Sequence, residues 1–118
     1  MPDPQMQPMD RFDWERVIKR LRIAQQFKYI ALMLATYAAP DGTQVFPGVD
    51  ELVDVTCTSK ATVKRGLTEL RRLGLIELVS RADRYAGLAD EYRLTVPADI
   101  AEMPMLPPEQ LGRNRARR

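Results

Sequence analysis

Thr58-Ser59-Lys60-Ala61-Thr62-Val63-Lys64-Arg65-Gly66-Leu67-Thr68-Glu69-Leu70-Arg71-Arg72-Leu73-Gly74-Leu75-Ile76 reads as one helix with a start, two faces and a stop. Ser59 suits the cap position, where its hydroxyl accepts from a backbone N–H in the first turn. Val63, Leu67, Leu70 and Leu73 recur at helical spacing and form an apolar stripe. Lys60, Lys64, Arg65, Arg71 and Arg72 fall off that stripe, and Gly74 can adopt the left-handed conformation that ends helices. Between Thr58 and Arg72 five cations stand against Glu69 alone. Such a helix docks on a core and carries positive charge outward.

Upstream, Pro47 to Val55 reads as a short helix that turns Val49, Leu52 and Val53 inward, with Pro47 at its start. Only Thr56, Cys57 and Thr58 separate it from the Ser59 helix, and two helices joined so tightly cross steeply, as in a helix-turn-helix. Downstream, Leu75 to Arg81 and Glu91 to Val96 alternate as two strands, with Ile76 and Leu78 or Leu75, Glu77 and Val79 as the buried set of the first. Ala82 to Asp90 is the loop between them. Before these come a helix from about Gln25 to Ala38, with Phe27, Ile30, Ala31, Leu34 and Tyr37 inward, a turn at Pro40-Asp41-Gly42, and a short edge strand over Thr43 to Phe46. The fold class is mainly α with a small β-hairpin (α+β). A hairpin directly after a basic helix makes a winged helix-turn-helix.

Asp10 or Asp13 caps a further helix that exceeds this minimum. Its apolar side is Trp14, Val17, Ile18 and Leu21, and its basic side is Arg16, Lys19, Arg20 and Arg22. Two homes are open to it: over the domain, or at the interface of a homodimer. Residues 1–10 read as a disordered segment, 11–97 as the domain, and 98–118 as a Pro-rich linker ending in the basic tail Arg113-Asn114-Arg115-Ala116-Arg117-Arg118.

Composition narrows the function classes. The chain has 118 residues, enough for one domain, and a net charge of only +2. Its distribution is uneven, with 6 basic and 8 acidic side chains in residues 1–54 against 12 and 8 in residues 55–118. There is no histidine, the commonest general base and metal ligand, and one cysteine makes neither a disulfide nor a zinc site. The expectation is a non-enzymatic protein without cofactor or metal. No apolar run is long enough to span a bilayer and no secretory signal opens the chain, which places it in the cytoplasm, at the nucleoid, with no membrane partner.

Leu52 to Leu67 resembles the helix-turn-helix signature of bacterial winged-helix regulators, and Leu70 to Ile76 resembles their entry to the wing. Phe12-Asp13-Trp14-Glu15-Arg16, Ala31 to Ala38, Phe46-Pro47-Gly48-Val49 and Asp90 to Pro97 are similar to helix-turn-helix proteins of actinobacteria and their plasmids and phages. The resemblance implies a partner, double-stranded DNA, and a task in transcription regulation; its alternative is a winged-helix adaptor or initiator in plasmid or phage replication or partition, acting through protein contacts. It further implies that Lys60, Ala61 and Arg65 reach base edges in the major groove, with Ser59, Thr62 and Lys64 nearer phosphates and Thr68 one turn beyond. Arg81 and Arg84 fall at the wing, where they approach a minor groove or the backbone.

Two departures from that family follow from physical chemistry. Cys57 stands where glycine is usual, at a turn that wants positive φ, and a side chain costs about 1 kcal/mol there. Close to the positive end of the Ser59 helix, its thiol is also a candidate redox switch. Val53 is larger than the usual alanine while Gly66 is smaller than usual, which reads as a volume swap between two facing helices.

Overall fold

A computed structural model describes residues 6–107 of the chain. These form an α+β fold of four α-helices, a three-stranded antiparallel sheet and one 3₁₀ turn. The helices are α1 (Arg11–Arg20), α2 (Gln25–Ala35), α3 (Val49–Thr56) and α4 (Lys60–Arg72). The strands are β1 (Met6–Pro8), β2 (Ile76–Ser80) and β3 (Glu91–Pro97), in the order β1-β3-β2.

Local chemistry sets the ends of α4. The Ser59 hydroxyl accepts from the Thr62 N–H at 3.1 Å, and the residue itself is extended, as a cap must be. At the other end Gly74, at φ +76°, allows two closing bonds: Leu75 N–H to the Leu70 carbonyl at 2.9 Å and Gly74 N–H to the Arg71 carbonyl at 3.0 Å. This pair is a Schellman motif. It turns the chain straight into β2.

The three residues between α3 and α4 are held by side chains as well as backbone. Buried Thr56 gives its hydroxyl to the Leu52 carbonyl at 2.5 Å and shares a 2.8 Å hydroxyl contact with Thr58. Cys57 sits at φ +56°, ψ +39°, the left-handed conformation expected of it. α3 begins at Val49 rather than at Pro47, because Gly48 before it lies at φ +79°, outside any helix.

Ile76, Leu94, Val96 and Tyr92 form the buried side of the sheet, in the register Ile76 to Leu94 and Leu78 to Tyr92. Of the two alternations open for β2, the Ile76 and Leu78 set faces the core. The edge strand expected over Thr43 to Phe46 shrinks to Val45, which pairs with Tyr92 alone. Its place along β3 is taken by β1, whose Met6 to Pro8 pair with Pro97 to Thr95. Part of the segment expected to be disordered is therefore a strand.

α1 covers the domain. Trp14, Ile18 and Leu21 are fully buried within the chain and Val17 packs against the same core. The indole N–H of Trp14 lies 2.9 Å from both the Leu75 and Thr95 carbonyls, so one donor ties α1 to the start of β2 and to β3. An apolar face committed in this way is not available to a second copy, and the dimer interface expected there has no side chains left to form it.

The segment after β3 is also not a free linker as far as Pro107. Met105 pairs with Leu21, Arg22 N–H donates to the Pro104 carbonyl at 2.9 Å, and Leu106 N–H to the Arg20 carbonyl at 2.7 Å. Ile100, Met103 and Met105 pack on the core. The basic tail from Arg113 lies outside the described residues.

Gly66 faces a different neighbour from the one expected. A Cβ at this position would lie 2.5 Å from Cδ1 of fully buried Ile30 on α2. The close approach is thus between α4 and α2, and the volume swap with Val53 is not the reason for the glycine.

Candidate nucleic-acid interface

Thirteen residues of α4 divide cleanly by burial. Val63, Gly66, Leu67 and Leu70 are buried, whereas Lys60, Ala61, Lys64, Arg65, Thr68, Arg71 and Arg72 are exposed. At 100° per residue the exposed set spans an arc of about 140°. Two cations sit at each end of that arc's length and two in its middle, if Lys60 is counted with the first turn.

Their charges are unequally free. Arg72 is bound through its guanidinium to the Glu69 carboxylate, with one of the two contacts at 2.8 Å. That bond holds Glu69 below the usual carboxylate range and raises Arg72. Lys60 stands 3.9 Å from Asp50 on α3, an exposed pair worth little. Lys64, Arg65 and Arg71 have no ion-pair partner among the described residues. Uncompensated charge is therefore concentrated in the middle and the C-terminal end of α4.

The hydroxyls expected near phosphates have local duties. Ser59 caps the helix and shares a 2.9 Å contact with the Thr62 hydroxyl, and Thr62 is half-buried. Each can still accept or donate once more, since a hydroxyl carries one donor and two acceptor sites. Ala61 is exposed beside Arg65 on the next turn, with nothing over its methyl group.

The hairpin extends this surface. Thr68, Arg71 and Arg72 of α4 share an open cleft of about 620 Å³ with Glu77, Val79 and Arg81, so Arg81 lies along the same side as the helix cations. Glu77 is neutralised by Arg93 at 2.7 Å. Arg84 is exposed farther out, in a loop that Asp83 organises by accepting from the Tyr85 and Ala86 N–H groups at 3.0 and 3.2 Å. Asp83 and Leu88 close this loop with paired backbone bonds of 2.9 Å, and Tyr85 projects fully into solvent.

Arg71 and Arg72 belong to the cleft although the family pattern does not single them out. Their position off the apolar stripe, one turn beyond Thr68, was the available signal. On the opposite side of the hairpin Tyr92 is buried against Leu52, Leu67 and Ala89. Burial, with Asp90 nearby, pushes its phenol above the usual range, so the group stays neutral and structural.

Among the described residues no group of three carboxylate, cysteine or histidine side chains could hold a metal ion, and no helix is long and apolar enough to cross a membrane. No protein-family model, no curated protein and no solved structure matches the chain.

Proposed function

We propose that the chain is a winged helix-turn-helix protein that binds double-stranded DNA in a sequence-specific way and acts as a transcription regulator. α3 and α4 are its helix-turn-helix, and β2, β3 and their loop are its wing. The observation that carries the reading is the exposed arc of α4, where Lys64, Arg65 and Arg71 stand uncompensated beside Arg81 of the hairpin. A helix of this width enters the major groove, where the flanking cations meet phosphates on both strands.

Within that arc Arg65 is the strongest base reader, since its fork of donors matches O6 and N7 of guanine. Lys60 and Ala61 lie at the N-terminal end, the part of a recognition helix that reaches deepest. Lys64, Arg71 and Arg81 serve the backbone, with Arg84 at the end of the wing. Catalysis has no part in the proposal, because the chain lacks histidine and its carboxylates on α3 are an exposed face.

Selection from a random duplex library tests this. The unsubstituted protein should enrich one motif, and Arg65→Ala should relax one guanine position in it, a loss of about 1–3 kcal/mol of discrimination. An unenriched library would refute sequence-specific binding.

A further inference from the structure

The stretch from Lys19 to Lys28 holds four cations, Lys19, Arg20, Arg22 and Lys28, and no acidic residue. It spans the end of α1 and the start of α2. Arg20 Nε donates to the Leu106 carbonyl at 2.9 Å, and Lys28 Nζ donates to the Lys19 carbonyl at 3.0 Å. Both bonds are to neutral oxygens, so they fix the side chains without removing charge. None of the four has a carboxylate within ion-pair distance among the described residues, and the nearby Asp13 and Glu15 are already engaged by Arg16 and Arg11.

Arg22 and Lys28 line an open cleft of about 550 Å³ together with Gln25 and Leu106. The site lies apart from the α4 arc. α4 meets α2 through Gly66 and Ile30, while Lys28 stands two positions from Ile30, about 200° round the helix. α1 in turn packs on α2 and β3. A straight duplex seated on Lys64 and Arg65 leaves the junction free.

We infer that the α1–α2 junction, through Lys19, Arg20, Arg22 and Lys28, is a second phosphate-binding site for duplex nucleic acid, by which one chain holds two duplex segments. This second site presupposes that α4 holds the first. Clustered like charges repel, and a polyanion relieves that repulsion while releasing its own counterions. A protein partner would want an apolar anchor and a membrane surface an exposed apolar face. The junction offers neither, since Leu21 is fully buried and Ile23 is packed on the core. The sequence beyond Pro107 adds Arg113, Arg115, Arg117 and Arg118, following from a point anchored on Arg20.

The test uses the full chain, bead-tethered duplex and a labelled second duplex in solution. Lys19→Gln/Arg22→Gln is the informative variant, because both side chains are exposed and hold nothing in place. The unsubstituted protein should capture the second duplex. The variant should capture it about tenfold less, the loss expected for two phosphate contacts, while melting at the same temperature and still binding a single duplex through α4. Equal capture by both proteins would overturn the second site, including the case in which two associated chains each hold one duplex. So would equal capture together with binding of phosphatidylserine vesicles that only the variant loses, which would make the junction a membrane site. Failure of the α4 reading shows separately: Lys64→Ala/Arg65→Ala would then bind single duplex as the unsubstituted protein does, and the junction variant would bind it more weakly.

Discussion

Replacing Gly66 by alanine sets two known effects against each other. Alanine in a helix interior is favoured over glycine by about 1 kcal/mol, because glycine loses more backbone freedom on folding. Against this, the new Cβ would lie 2.5 Å from Ile30 Cδ1, well inside the 3.5–4.0 Å at which carbon atoms attract. Ile30 is fully buried, so its terminal methyl must leave its rotamer or push α2 away, at a cost of about 1–3 kcal/mol. Gly66→Ala should therefore destabilise the fold by about 1 kcal/mol. Ile30→Val removes only the offending methyl and alone costs about 1 kcal/mol. In the double variant the next atoms, Ile30 Cγ1 and Cγ2, would be 3.5 Å from the added Cβ, an ordinary contact. The alanine methyl then fills the vacated space and the helix preference is regained. The double variant should be about as stable as the unsubstituted protein, a favourable coupling of about 2 kcal/mol. Urea unfolding followed by circular dichroism measures all four corners of the cycle. Stabilisation by Gly66→Ala alone, or strict additivity, would refute the packing of α4 on α2 described above.

Two further substitutions test the frame around the interface. Cys57→Gly should stabilise the protein by about 0.5–1 kcal/mol, since the left-handed turn at φ +56° penalises a side chain, and a lower urea midpoint would contradict that. Trp14→Phe removes the donor shared by the Leu75 and Thr95 carbonyls; Leu75 keeps the Thr95 N–H at 3.0 Å, but the Thr95 carbonyl is left buried, for a loss of about 1–3 kcal/mol in the same unfolding assay.

The helices and the turn between them were legible because their signals are local. Ser59, Gly74 and the spacing of Val63, Leu67 and Leu70 are read within a few residues of where they act, and the positive φ of Cys57 follows from the tight connection around it. What escaped the sequence is non-local. Met6 to Pro8 is short and proline-bearing, with no strand-like alternation, and becomes a strand only because β3 offers it a free edge 89 residues away by the Met6 to Thr95 contact. Met103 to Leu106 is pinned by Arg20, Leu21 and Arg22 in the same manner. Gly66 announced a close approach, but only the fold shows Ile30 as the neighbour. At the interface, the cations of α4 were visible as a face; the shared cleft that adds Arg71 and Arg72 to Arg81 required the hairpin's position.

The central claim is that Lys64 and Arg65 on α4 meet DNA, and the salt dependence of duplex binding tests it most directly. Affinity should fall linearly with salt on a double-logarithmic plot, and Lys64→Ala/Arg65→Ala should bind more weakly with a slope smaller by about 2, one for each lost phosphate or base-edge contact. Identical slopes and affinities for the two proteins would contradict it.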